Sequence, residues 1–212
     1  QNDFFDQKYE YVADRISAEG VKDFKLRPNQ LYAFELIDSK ERKASVTRKV
    51  WSSLVYPWGV ASLSQDDEDF HPYHENWHYY HKDAAYHNGT VWLWNNGMAM
   101  QRMIEHNEYE KAWKLFKNMN HQALHLGAIG SLSENADAIP RPGMKRGRLS
   151  GTFLQAWSNA EHLRIWYQYF LGLKPDMLNR EIRISPRLPN EIKNLEYSIV
   201  AGKGSINALY DN

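Results

Sequence analysis

A short polar segment in the second half of the chain carries the two carboxylates best suited to acid–base chemistry. Glu134 and Asp137 lie three residues apart, in a stretch flanked by Gly130 and Pro140. A loop carboxylate ahead of a helix can transfer a proton to or from a reacting group. Capping the helix or facing solvent is the alternative use of both residues. The segment therefore predicts a candidate site with two alternative proton-handling groups.

Flat aromatic side chains are abundant in the same chain, which has eight Trp and thirteen Tyr among 212 residues. An indole offers an apolar face with one polar N–H, which suits stacking on a pyranose ring. Trp92 and Trp94 are two residues apart, so on a helix they point in different directions and at most one of them faces a given pocket. Packing between helices is the alternative use. The aromatic residues favour carbohydrate binding near the carboxylates.

Four histidines, His71, His74, His78 and His81, fall in one segment at spacings of three and four. Such spacing could place several of them on one helix face, where zinc would bind. No cysteine accompanies them, and other aromatic residues are interleaved throughout. We therefore expect hydrogen-bonding loop histidines, no metal and no cofactor.

The composition limits the classes of partner. The chain has 26 basic and 26 acidic residues, whereas a protein that binds a nucleic-acid backbone needs clustered excess Lys and Arg. No apolar run approaches the ~20 residues that span a bilayer. We expect neither a nucleic-acid nor a membrane partner. The first residues contain neither an initiator Met nor a signal-peptide pattern, so we expect a cytoplasmic protein that is processed, trimmed or part of something longer.

The spacing of apolar residues predicts mainly helices up to about residue 172 and strands thereafter. After an irregular or strand-like entry over 1–25, helices are predicted over 28–37, 40–54, 90–106, 108–126 and 152–171, with long loops over 59–88 and 127–150. Alternating apolar residues predict strands over 181–185, 195–200 and 205–209. We expect a mainly α domain over 1–175 and a β-strand tail over 176–212.

Several motifs occur in the order found in one enzyme family. They are Leu26-Arg27-Pro28-Asn29-Gln30, the run from Tyr86 to Trp94, Ser133-Glu134 and Gln155-Ala156-Trp157-Ser158. Together they resemble the C-terminal glucosidase domain of glycogen debranching enzymes, the amylo-α-1,6-glucosidase family. The stretch Trp157-Ser158-Asn159-Ala160-Glu161 also resembles glucoamylase-like enzymes. The resemblance covers roughly residues 25–175.

The resemblance implies a fold, a reaction and a set of site residues. It implies a mainly α (α/α)6 toroid, of which this chain would be the C-terminal half. It implies cleavage of α-1,6 branch points of glycogen-like glucans by an inverting two-carboxylate mechanism. Glu134 is expected as general base, with Asp137 as the alternative. The residues expected to line the sugar subsite are Arg27, Asn29, Gln30, His87, Asn88, Trp92, Trp94, Gln155 and Trp157.

One departure from the family pattern concerns the second carboxylate. The family's general acid is an Asp in a Gly-Arg-Asp motif, which this sequence does not contain. We therefore expect the acid upstream of Gln1, and the missing N-terminal half of the same catalytic domain as a partner. The chain alone is expected to be inactive, because one of the two carboxylates is absent. It is also expected to be prone to association, because apolar faces with Leu31, Phe34, Trp92 and Trp113 would lack partners. The rival hypotheses are a non-catalytic carbohydrate-binding or interaction module and a trehalase- or mannosidase-like toroid glycosidase.

Overall fold

The computed structural model describes residues 4–211 and combines helices with short strands, which occur before, between and after the helices. The α-helices of this part are α1 Lys40–Leu54, α2 Lys82–Tyr86, α3 Asn95–Glu105, α4 Tyr109–His125 and α5 Ala156–Ile165. The strands are β1 Phe5–Asp6, β2 Tyr11–Val12, β3 Arg15–Ile16, β4 Lys22–Asp23, β5 Val55–Tyr56, β6 Gly59–Val60, β7 Val91–Trp92, β8 Asn135–Ala136, β9 Leu149–Ser150, β10 Leu173–Asp176, β11 Glu181–Ile184, β12 Asn194–Ala201 and β13 Gly204–Asp211. A π-helical turn, Trp166–Phe170, continues α5.

The strands form small antiparallel sheets. Five are two-stranded hairpins, β1–β2, β3–β4, β5–β6, β10–β11 and β12–β13, and one is the three-stranded sheet β7–β8–β9. In the three-stranded sheet Trp92 is paired with Asn135, and Asn135 with Ser150. This sheet joins three segments that are distant in sequence. Its central strand, β8, lies between Glu134 and Asp137 in residues 134–137, called the carboxylate segment below.

The expected mainly α toroid is wrong. The structure is 34% helical and 21% strand, with five helices and several small sheets. Strands are not confined to the tail: they occur at both ends of the chain and between the helices. The segment 28–37 forms two 3₁₀ turns, Pro28–Leu31 and Ala33–Leu36, where a single helix was expected. The fold is therefore a mixture of helices and short hairpins.

The helix expected over 90–106 begins five residues later than its apolar spacing indicated, at Asn95. Val91 and Trp92 pair with the carboxylate segment, and the backbone N–H of Leu93 donates to the carbonyl of Glu134 at 3.1 Å. A run of large apolar residues fits a buried strand as well as a buried helix, so periodicity alone does not separate the two. Here the pairing of Val91 and Trp92 with β8 makes this part of the run a strand.

Other elements agree with the sequence. Helix α1 spans the predicted residues, with Ser39 accepting a hydrogen bond from the backbone of Arg42 at its start. Helix α4 also forms as predicted, and Asn107, at the joint before it, has a positive φ of 63°. The predicted C-terminal strands are confirmed as β11, β12 and β13.

The core lies between α1, α3, α4 and α5. The faces expected to lack partners are buried: Leu31 and Phe34 are 1% and 2% exposed, and Trp92 and Trp113 are 8% and 9% exposed. Leu36, next to Phe34 in sequence, is exposed, and so are Leu154, Trp157 and Leu163 at the start of α5 and along it. The chain therefore closes a core of its own.

The C-terminal hairpin β12–β13 is eight residue pairs long. Its strands contact each other much more than they contact any other element. Along each strand, half-buried residues such as Tyr197 and Ile199 alternate with exposed ones. No helix within residues 4–211 combines the length and the apolar character needed to cross a bilayer.

Candidate active site

The start of helix α5 holds the carboxylate segment in place. The hydroxyl of Ser158, which is fully buried, donates to the carbonyl of Ser133 at 3.0 Å. The side chain of Asn159 accepts from the backbone of Leu132 at 3.1 Å and donates to Ser131 at 2.8 Å. Two neighbours in the Trp-Ser-Asn-Ala-Glu stretch thereby fix the backbone on which Glu134 sits.

Glu134 has its carboxylate oriented by two donors. The hydroxyl of Tyr86 donates to Oε1 at 2.5 Å, and the backbone N–H of Thr152 donates to Oε2 at 3.2 Å. The residue is 9% exposed. Gly151, with φ +70°, lies so close that a Cβ there would come 2.5 Å from Oε2. A carboxylate can accept about four hydrogen bonds, so these two donors orient it and leave capacity for a water molecule.

Tyr86 connects Glu134 to the aromatic residues of the site. Burial, and then the hydrogen bond to Glu134, raise the pKa of Tyr86 to about 12. Tyr86 is therefore a protonated donor at neutral pH. Its ring lies 4.4 Å from that of Trp92, centroid to centroid, and the ring of His87 stacks on Trp92 at 5.3 Å. The indole N–H of Trp92 donates to the carbonyl of Tyr86 at 2.6 Å.

Asp137, the alternative base, is completely buried. Its Oδ2 pairs with Nε of Arg141 at 2.6 Å, and its Oδ1 accepts from the backbone N–H of His74 at 2.8 Å. Burial raises the pKa of Asp137, while the pairing with Arg141 opposes that shift. The contact with the His74 backbone holds that loop in place. Because the Asp137 side chain does not reach solvent, the geometry favours Glu134 as the proton acceptor.

His74 links the two carboxylates. It is 3% exposed, its Nδ1 lies 2.8 Å from the hydroxyl of Ser150, and its ring stacks on that of Tyr86 at 5.2 Å. Its Nε2 is buried without a hydrogen-bond partner among the described residues. Burial lowers the pKa of His74, so the ring is neutral at pH 7. A neutral ring stacked on Tyr86 supports the phenol that orients Glu134.

A cavity of about 380 Å³ lies beside these residues. This volume is within the ~300–1,000 Å³ of small-molecule sites. Five of the expected sugar-binding residues line it, namely Arg27, Asn29, His87, Trp92 and Trp94, together with Asp14, Pro28, Ser62 and Asn95. Trp92 and Trp94 form the aromatic wall of this cavity. The ring of Trp157 lies 6.4 Å from that of Trp92 and 6.3 Å from that of Trp94, centroid to centroid. Glu134 is not in the lining and reaches the wall through Tyr86 and Trp92.

Arg27 uses most of its donors to hold the cavity wall. Its NH1 donates to the carbonyls of Ser62, at 3.1 Å, and His87. Its NH2 donates to Oδ1 of Asn88 at 2.8 Å. The amide of Asn88 in turn donates to the carbonyl of Ala84 at 3.1 Å. Asn88 thus supports Arg27 from behind the cavity.

Other expected residues lie apart from this cavity. Gln30 is buried, donates to the carbonyl of Arg27, and lines a separate cavity of about 270 Å³. Gln155 is half-buried at the N-terminus of α5, where its backbone N–H donates to the carbonyl of Leu132. Within residues 4–211, no three His, Cys, Asp or Glu side chains are grouped as metal ligands.

Three residues of the site were not assigned from the sequence. Tyr86 belongs to a quoted motif, but nothing in its spacing indicated a hydrogen bond to Glu134. His74 belongs to the histidine segment, whose spacing indicated metal binding or loop contacts. Asp14 lies in the irregular entry, and its position in the cavity depends on the turn between β2 and β3. All three contacts arise from long-range packing.

None of the curated proteins compared with the chain matches it. The model of one protein family, described as amylo-alpha-1,6-glucosidase, matches residues 1–164. The matched range contains the cavity, Glu134 and the turn of α5 that holds it, and it ends in the last turn of α5. Its extent confirms the resemblance inferred from the ordered motifs. The chain belongs to the amylo-alpha-1,6-glucosidase family.

Proposed function

We propose that the chain carries the general-base part of an inverting α-glucosidase that removes α-1,6-linked glucose from branch points of glycogen-like glucans. The observation that carries the proposal is the Glu134 carboxylate, which Tyr86 and Thr152 orient and which Tyr86 connects to Trp92 in the cavity wall. Family membership makes a glycosidase the natural class. The Glu134 carboxylate accepts only two of about four possible hydrogen bonds, which supports its specific role as the general base.

In this mechanism Glu134 accepts a proton from a water molecule while the water oxygen bonds to the anomeric carbon of the terminal glucose. The bond from that carbon to the glycosidic oxygen breaks, and a second carboxylic acid protonates the leaving oxygen. The two carboxyl groups of an inverting enzyme stand about 6.5–9.5 Å apart. Trp94, which lines the cavity and is only half-buried, provides the flat apolar face against which the sugar ring stacks.

The general acid is proposed to come from a complementary part of the catalytic domain, because the family's Gly-Arg-Asp motif is absent from the 212 residues. Asp137 does not substitute for it, since its carboxylate is buried against Arg141. The substrate partner is an α-glucan or oligosaccharide.

A substrate that needs no acid assistance tests this proposal on the chain itself. The fluoride of α-glucosyl fluoride leaves without being protonated, so water activated by Glu134 is sufficient. We expect the chain to release fluoride and β-glucose from this compound, measured with a fluoride electrode and by NMR of the first-formed anomer. Branched dextrin should remain intact. If the chain binds maltose or isomaltose but releases no fluoride, a non-catalytic carbohydrate-binding function replaces the proposal. α-Glucose as the first product contradicts the inverting mechanism.

A further inference from the structure

Asp14 places a carboxylate in the wall of the sugar cavity. It lies between β2 and β3, where its backbone N–H donates to the carbonyl of Asp23 at 2.8 Å. Its side chain is 17% exposed and lines the cavity together with Arg27, Asn29 and Trp92. The β3–β4 hairpin therefore delivers a partly buried charge to the space proposed for the sugar.

The carboxylate of Asp14 is held but not saturated. Its Oδ1 accepts from the amide of Asn29 at 2.8 Å, and its Oδ2 lies 3.7 Å from Nε of Arg27. A carboxylate has about four acceptor positions, and no other hydrogen bond to it occurs among the described residues. The Asn29 contact fixes its direction, and the remaining positions can accept hydroxyl groups of a ligand.

Arg27 does not make the cavity attractive to anions. Two of its nitrogen atoms donate to the carbonyls of Ser62 and His87 and to the amide oxygen of Asn88. The third, Nε, faces Asp14. Its charge is balanced by Asp14, while Glu134 adds a second carboxylate behind the aromatic wall. An anionic ligand would meet the Asp14 carboxylate, with Glu134 behind the wall, and an arginine with three of its five N–H groups engaged.

We propose that Asp14 is a sugar-binding residue that accepts hydroxyl hydrogen bonds and selects a neutral hexose against uronic acids. The inference rests on the proposed function, and it adds a specificity-determining group to that site. Hydrogen bonds from hydroxyl groups to an ionised acceptor are short and about twice as strong as neutral ones. Together Arg27, Asp14 and Glu134 carry one net negative charge. A cavity of about 380 Å³ is comparable in width to the ~8 Å screening length at physiological salt, so this net charge repels a sugar carboxylate bound in it.

The test measures binding of glucose, maltose and glucuronate to the chain by calorimetry or saturation-transfer NMR. We expect the wild-type chain to bind glucose at least ~10-fold more tightly than glucuronate, a ratio that corresponds to a single charge repulsion across a partly screened site. Asp14→Asn should lower glucose affinity by ~10-fold and narrow the difference between the two sugars. Glu191→Gln is the control, because it removes an exposed carboxylate paired with Lys117 outside the cavity, and it should leave both affinities unchanged.

The outcomes separate this inference from the proposed function. If the wild-type chain binds neither glucose nor maltose, both are overturned. If it binds them and Asp14→Asn keeps the same affinities and the same selectivity, Asp14 only orients Asn29 and this inference alone is overturned. A measurement on the wild-type chain covers the case in which the variant does not fold. Added NaCl should then strengthen glucuronate binding and leave glucose binding unchanged, and equal binding of both sugars at low salt would contradict the role of Asp14.

Discussion

The two ends of strand β8 carry the same chemical group in opposite situations. Glu134 precedes the strand and has its carboxylate bound by a phenol and one backbone N–H behind the aromatic wall of the cavity. Asp137 follows the strand and is enclosed completely, with an arginine and a backbone N–H as its partners. Because side chains alternate between the faces of a strand, residues three apart face opposite sides. Sequence proximity therefore did not give the two carboxylates the same function.

The largest expected effect comes from removing the proton acceptor at the Glu134 end. Glu134→Gln keeps the shape but cannot take the proton from water, so turnover of α-glucosyl fluoride should fall by ~10²–10⁴-fold. Maltose binding should stay within a few-fold of wild type. The matched control is Glu75→Gln, which changes a partly exposed carboxylate paired with Arg148 at 2.8 Å. Retained fluoride release in Glu134→Gln would remove the distinction between the two ends of β8.

The Asp137 end should respond in stability. Asp137→Ala removes the buried partner of Arg141 and the acceptor for the backbone of His74. Since the arginine side chain is 25% exposed and can reach water, we expect a loss of about 2–3 kcal/mol in the free energy of unfolding. Chemical denaturation measures this change. Asp38→Ala, which breaks an exposed pair with Arg42, should cost only about 0–1 kcal/mol. Equal losses in the two variants would contradict a structural role for Asp137.

A smaller effect is expected from the phenol that orients Glu134. Tyr86→Phe removes one hydrogen bond to a charged acceptor while keeping the ring against Trp92 and His74. A bond of this kind contributes about 1.5 kcal/mol, so turnover of α-glucosyl fluoride should fall ~10-fold. The double variant Tyr86→Phe with Glu134→Gln should lose no more than Glu134→Gln alone, because the phenol acts through the carboxylate. Additive losses would show that Tyr86 acts independently.

The smallest effects concern pH, and they have opposite signs at the two ends. The lowered pKa of His74 means that the unfolded chain binds more protons below the ordinary histidine value of about 6.5. Stability therefore falls as the pH decreases through that range. The pKa of Tyr86 is raised from 10.0 to about 12. The stabilisation that Tyr86 contributes to the folded state is therefore present below pH 10 and is lost as the pH rises towards 12. Denaturation across pH should show a shallower acid slope in His74→Gln and a shallower alkaline slope in Tyr86→Phe. His78→Gln, in an exposed position of the same segment, is the control.

Five residues expected in the sugar subsite line one cavity, whereas the expected fold class was wrong. The ordered motifs pointed to these five residues because they combine rare residue types, such as Trp92 and Trp94, at short spacing, and their role in sugar binding stays a prediction. The fold class was wrong because short strands such as β7 leave almost no periodicity: two residues cannot show alternation. Helices α1 and α4 were predicted because they are long and amphipathic, which is the pattern that periodicity detects best.

The contacts that the sequence did not predict share one physical cause. The hydrogen bond between Tyr86 and Glu134 spans 48 residues, and the contact of Asp137 with the backbone of His74 spans 63. Asn29 and Asp14 are 15 residues apart, and the β3–β4 hairpin between them brings their side chains together. Such contacts depend on how elements pack, and no local spacing rule encodes them. The sequence supplied the candidate groups, and packing assigned their partners.

The loosely attached hairpin β12–β13 has a consequence for local unfolding. Its strands hydrogen-bond to each other across eight pairs but depend little on the body of the protein. A two-stranded hairpin by itself is at best marginally stable in water. Its amides should therefore exchange with solvent deuterium through opening events far less costly than global unfolding, whereas those of α3 should exchange only when the core opens. The chain would then contain two units of different cooperativity, and the site belongs to the more protected one.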